Sequence, residues 1–136
     1  MKGVIIASHG KLAEGLLDTA YLFFGPQQQL EVLTLNADDN VDTFFETLKV
    51  TIPRVDTGDG VIILVDVLYG SPCNCISRLI YHNQEYNNVD VITGVNLPML
   101  MQVLSVREYQ DLLAEEIITA GNDGICYLNQ RLNELS

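Results

Sequence analysis

The chain has 136 residues, 48% of them hydrophobic, with seven basic against eighteen acidic side chains and a formal net charge of −11 at pH 7. That length and apolar content suit one domain with a genuine core, and the charge argues against nucleic-acid binding, because phosphates need Lys and Arg to neutralise them. No apolar stretch approaches the roughly 18 to 20 residues that span a bilayer, and the run at residues 4 to 7 is too short for a signal peptide. The expectation is a soluble, cytoplasmic protein whose membrane association, if any, goes through a partner.

Residues 1 to 10, M-K-G-V-I-I-A-S-H-G, open on an apolar run that ends abruptly in histidine and glycine. A short Val/Ile-rich run of this kind reads as a strand buried on both faces. Leu12, Ala13, Leu16, Leu17, Ala20, Tyr21 and Phe24 then share one face of a helix, which Gly25-Pro26 ends. Leu30–Leu35 alternates and reads as a second strand. Asp38, Asp39 and Asn40 offer N-cap oxygens to a second helix carrying Val41, Phe44, Phe45, Leu48 and Ile52, closed by Pro53.

Thr57-Gly-Asp-Gly60 is a turn cluster, and residues 61 to 66, V-I-I-L-V-D, repeat the design of the first strand. Ser71 suits the N-cap and Pro72 the first position of a third helix, whose buried stripe is Cys73, Ile76, Leu79 and Ile80. His82 falls near its end, where a cation suits the helix dipole, and no catalytic role is assigned to it. Val89–Thr93 is a fourth strand. Gly94-Val-Asn-Leu-Pro98 leads into a helix through Met99, Leu100, Val103 and Leu104, and Ser105-Val-Arg-Glu108 has the form of a capping box that restarts a helix bearing Tyr109, Leu112, Leu113 and Ile117 until Gly121. Ile125-Cys-Tyr-Leu128 reads as a last short strand, followed by a helical turn or two through Leu132 and Leu135. Cys73, Cys75 and Cys126 are an odd set without the second pair that a structural zinc site requires, so they read as small apolar residues.

The alternation of strands and helices implies an α/β fold: a doubly wound, mostly parallel four-stranded sheet with helices on both faces, for which the order 2-1-3-4 is taken by analogy with that fold class. Three strands end in groups able to do chemistry, His9, Asp66 and Asn96, and the order 2-1-3-4 would place Asp66 beside His9 at the switch point. A carboxylate on one imidazole nitrogen fixes the tautomer, frees the other nitrogen to attack and stabilises charge on the ring. Ser71 and the amides opening the third helix would supply an anion site on the same rim. Histidine, carboxylate and anion site together suggest phosphoryl transfer. Alone, each has a plainer reading: His9 as a strand terminus, Asp66 as a turn carboxylate, Ser71 as a cap, Asn96 as a brace before Pro98.

Three segments, V-I-I-A-S-H-G at residues 4 to 10, V-D-V-L-Y-G-S-P-C-N at residues 65 to 74 and T-G-V-N-L-P-M-L at residues 93 to 100, resemble the IIA component, mannose class, of the bacterial sugar phosphotransferase system. The resemblance implies that His9 accepts a phosphoryl group from the phosphocarrier histidine protein and passes it to a IIB component, which serves a membrane permease. It implies that Asp66 orients His9, that Ser71 with Gly70 contacts the phosphoryl group, and that no metal or cofactor takes part. It also implies a homodimer in which the strand at residues 125 to 128 crosses to the neighbouring subunit. With no linker after that strand, a free-standing IIA protein is expected. Tyr69 and Cys73 depart from the family pattern, which leads one to expect glycine or plain apolar residues there. The alternatives are a hydrolase with His9 as nucleophile, a phosphoryl donor domain for a glycerone kinase, and a flavodoxin-like regulatory module; the last is weakened by the absence of a glycine-rich nucleotide loop.

Overall fold

The computed structural model describes residues 1–81 and 83–136; His82 lies outside the described residues. Among them four strands, β1 (Gly3–His9), β2 (Leu30–Leu35), β3 (Val61–Val65) and β4 (Val89–Thr93), form a sheet in the order β2-β1-β3-β4, and every pairing is parallel. Six α-helices accompany them: α1 (Leu12–Phe24), α2 (Val41–Val55), α3 (Ser71–Ile80), α4 (Leu97–Val106), α5 (Ala114–Asp123) and α6 (Leu128–Glu134).

Successive strand side chains point to opposite faces, and this alternation builds two cores. Ile5 and Ala7 of β1, with Ile63 and Val65 of β3, pack on Phe44, Leu48 and Ile52 of α2 and on Cys73, Ile76 and Leu79 of α3. Val4 and Ile6, with Ile62 and Leu64, pack on Ala13 and Ala20 of α1, Leu100 and Val103 of α4 and Ile117 of α5. The central strands are apolar on both sides because both sides are covered. The chain steps outward from β1 to β2, then reverses across β1 to β3 and β4. Right-handed crossovers put the connecting helix on opposite faces before and after that reversal, so α1 lies opposite α2 and α3. The connections leaving β1 and β3 therefore diverge, and a crevice opens at the carboxyl ends of these two neighbours.

Several elements differ from the sequence expectation. Helix α2 runs past Pro53 to Val55. A proline in the last turn forfeits only one bond, while Val55 is buried in the core. Gly70, not Ser71, is the N-cap of α3, and Ser71 and Pro72 take its first two positions. The capping box at residues 105 to 108 does not form: Ser105 lies within α4, the chain turns after Val106, and α5 runs from Ala114 through Gly121 to Asp123. Arg107 explains the turn. It is 3% exposed, and its guanidinium donates to the carbonyl oxygens of Lys2, Gln28 and Gln29 and to Gln27 Oε1. A buried cation needs such pairing, and the chain leaves the helix where the strand starts supply it.

The fifth strand expected at residues 125 to 128 does not form within the chain. Ile125, Cys126 and Tyr127 are exposed and pair with none of the four strands, and Leu128 opens α6, a helix with no buried residue. A strand exists only against a pairing edge, and the chain's own fold offers this segment none. No helix among the described residues is long and apolar enough to cross a membrane.

Candidate functional site

The chain leaves β1 through Ser8, His9 and Gly10. Ser8 is fully buried, and its Oγ accepts the Ala13 N–H at 2.8 Å. From the strand end it thus satisfies one of the free N–H groups in the first turn of α1, whose N-cap is Lys11. Gly10 stands at φ +56°, the left-handed region that favours glycine, and donates its N–H to the Leu35 carbonyl at 2.9 Å. The chain turns sharply there, and the His9 side chain is left 48% exposed at the mouth of the crevice.

Asp66, the residue after β3, meets it. Asp66 Oδ2 accepts both the backbone N–H and the Nδ1–H of His9, each at 2.8 Å, while Oδ1 accepts the Val67 N–H at 2.8 Å. The Asp66 side chain is only 7% exposed. Burial by itself would raise its carboxyl pKa, but the His9 backbone N–H, the His9 ring and the Val67 N–H outweigh it and hold the carboxyl below the usual carboxylate range. An ionised carboxylate can only accept, so the neutral ring takes the tautomer with its proton on Nδ1 and its lone pair on Nε2.

Gly70 forms the floor beneath the ring. A Cβ built at this position would lie 2.5 Å from His9 Cε1 and 3.3 Å from Nε2. The imidazole thus rests on bare backbone, with Nε2 held over the start of α3. Ser71 is exposed in the first turn of that helix, where N–H groups lack intrahelical acceptors and the helix dipole favours an anion. His9, Asp66 and Gly70 are therefore brought together, and Ser71 follows Gly70 as the first residue of α3.

Asn96 is not among them. It caps α4 through Oδ1, which accepts the Met99 N–H at 3.0 Å, and its Nδ2 donates to the Gly121 carbonyl at 3.0 Å. It braces α4 against α5, the plainer of its two readings. Cys73 and Cys75 are buried, and burial pushes the Cys75 thiol up, whereas Cys126 is exposed and so is not a packing residue. Asn74 escaped sequence reasoning: its Nδ2 donates to the Tyr69 carbonyl at 3.1 Å and so ties the site loop to α3. Among the described residues no cluster of three or more His, Cys, Asp or Glu could hold a metal ion.

Fold and site together define a doubly wound α/β protein with an exposed, carboxylate-oriented histidine at its switch point. The family model described as the PTS (phosphotransferase system) fructose IIA component matches residues 3–120. The mannose-specific EIIAB component of the PTS from Escherichia coli (strain K12) is 34% identical over 126 residues, covering 90% of this chain but only 38% of that protein's length. The fructose-specific EIIA component from Bacillus subtilis (strain 168) is 31% identical over 116 residues, covering 83% of this chain and 77% of that one. Among solved structures, the PTS IIA protein associated with the fucose utilization operon of Streptococcus pneumoniae superposes with a TM-score of 0.88 at 29% identity, covering 96% of both chains. The chain belongs to the mannose-class IIA components of the bacterial sugar phosphotransferase system.

Proposed function

We propose that this chain is a reversible phosphocarrier, taking a phosphoryl group on His9 from the phosphocarrier histidine protein and delivering it to a IIB component that serves a sugar permease. The observation that carries this reading is the 2.8 Å bond between His9 Nδ1 and buried Asp66, which leaves Nε2 facing out over the start of α3.

In the forward step the Nε2 lone pair attacks phosphorus in line as the P–N bond to the donor imidazole breaks. The donor ring departs neutral, retaining the proton on its other nitrogen. Positive charge passes to the His9 ring together with the phosphoryl group, and Asp66 stabilises it through Nδ1–H. The phosphoryl oxygens meet the Ser71 hydroxyl and the amides beside Gly70, so positioning and electrostatics supply the catalysis. Because one phosphohistidine replaces another, the step runs in either direction. The exposed apolar residues beyond α5, Ile125, Tyr127, Leu128, Leu132 and Leu135, support a homodimer in which residues 125 to 128 complete a neighbour's sheet.

The test is phosphorylation by the donor protein of the parent chain and of His9→Gln, followed by acid and alkali treatment of the labelled chain. We expect an acid-labile, alkali-stable label on the parent and none on the variant. A label that persists in His9→Gln, or one stable to acid, would sink the reading and point to a hydroxyl such as Ser71.

A further inference from the structure

We infer that Tyr69 is a recognition residue for the protein that donates the phosphoryl group, its ring held out for that contact by a left-handed backbone; the inference rests on the phosphocarrier reading. Two residues other than glycine have positive φ among those described, Gln29 at +51° and Tyr69 at +69°. This region crowds a Cβ against the following carbonyl, and residues other than glycine persist there when something else compensates. At Gln29 the compensation lies inside the fold, because its side-chain amide donates to the Met1 and Val55 carbonyls and to Thr57 Oγ1.

Tyr69 has no such return. The residue is 79% exposed, and its side chain makes no hydrogen bond or ring contact among the described residues. Only its backbone is engaged, through the Asn74 amide on its carbonyl. That bond fixes the turn one residue before Gly70, the floor beneath His9. The strained position therefore contributes nothing to the packing of this chain, and what it achieves is to project a phenol at the lip of the crevice.

The surroundings indicate what meets it. Val67 and Leu68, on the same loop, are also exposed. Across β1, the loop that follows β2 and the start of α2 present the exposed carboxylates of Asp38, Asp39 and Asp42. A protein that brings a phosphohistidine in line with Nε2 must close over both. The matching surface is an apolar patch flanked by Lys or Arg, with Tyr69 as its aromatic anchor, the residue type on which interface energy concentrates.

The experiment compares the parent with Tyr69→Gly, Tyr69→Ala and Tyr69→Phe, using the phosphorylated phosphocarrier histidine protein as one donor and phosphoramidate, which loses ammonia as its P–N bond breaks, as the other. With the protein donor we expect KM to rise roughly tenfold in the Gly and Ala variants at nearly unchanged kcat, and to stay within about twofold in the Phe variant. With phosphoramidate all four chains should label alike, and Tyr69→Gly should unfold at or above the parental Tm. A parental KM in Tyr69→Gly and Tyr69→Ala would overturn the inference, as would loss of phosphoramidate labelling or a lowered Tm in Tyr69→Gly, since the residue would then serve the site or the fold. Failure of the phosphocarrier reading looks different: the parent itself would take no label on His9 from the protein donor.

Discussion

Replacing Gly70 with alanine separates the geometry of the site from the stability of the fold. The added methyl would sit 2.5 Å from His9 Cε1, whereas carbon atoms rest at about 3.5–4.0 Å, so the ring must move by at least about 1 Å. The Gly70 backbone, at φ −72° and ψ 167°, accepts alanine without strain. Restricting the unfolded chain then favours folding by about 0.4–1 kcal/mol. Against this stands a weakened His9–Asp66 bond. Hydrogen bonds to charged groups contribute about 1.5–3 kcal/mol, and the half-exposed ring reduces that to about 1 kcal/mol. The two effects nearly cancel, so stability should stay within about 1 kcal/mol of the parent. Transfer should fall about a hundredfold, the usual consequence of misplacing a reacting group by 1 Å. Rapid-quench phosphoryl transfer alongside thermal unfolding measures both. A parental transfer rate in Gly70→Ala would refute the argument that the ring needs its bare floor, and a rate loss matched by unfolding would assign the effect to stability.

Asp66→Asn should slow transfer roughly tenfold or more with the fold retained, because it removes charge and tautomer control but little volume; equal single-turnover rates would reduce Asp66 to a structural residue. The Asp66 carboxyl is held below its usual range in the folded chain. Its stabilising contribution is therefore full above the unfolded value near 3.9 and is lost as pH falls through the folded value. Denaturant unfolding of the parent should accordingly lose stability relative to Asp66→Asn below about pH 4, and a difference that does not vary with pH would contradict this. Arg107→Lys should destabilise the chain by about 1–3 kcal/mol, because an ammonium cannot reproduce the fork that serves four acceptors. Its transfer rate per folded molecule should be unchanged, since Arg107 binds at the opposite end of the sheet from His9; a slowed rate would show coupling between the two ends. With a net charge of −11, and with the Lys- or Arg-flanked donor surface inferred above, transfer at limiting concentration should slow as salt rises, an effect that stopped-flow measurements at low and high ionic strength would detect.

Much of this protein was legible before any coordinates. Continuous apolar runs, the alternation at residues 30 to 35 and helical stripes of period 3.6 are local properties, and they located β1 to β4 and α1 to α3. Chirality then restricted the topology, and the strand order, taken by analogy with doubly wound folds and present in the structure, put the ends of β1 and β3 side by side. The pairing of His9 with Asp66 followed from that order. Motifs marked the chain ends of the site, but three candidate strand ends looked alike in sequence, and only packing separated Asn96, which braces two helices, from Asp66, which holds the imidazole.

What remained hidden was decided by distant contacts. The box at residues 105 to 108 has the letters of a helix start, yet Arg107 is drawn to carbonyls about eighty and a hundred positions away, and that demand ends the helix there. Pro53 has the letters of a helix stop, yet burial of Val55 carries the helix past it. Residues 125 to 128 have the composition of a strand, but a strand also needs an edge, which composition cannot supply. The histidine itself shows the same division. Its sequence context placed a histidine at the end of β1, whereas its tautomer and its floor depend on Asp66 and Gly70, which only the closed sheet brings within reach.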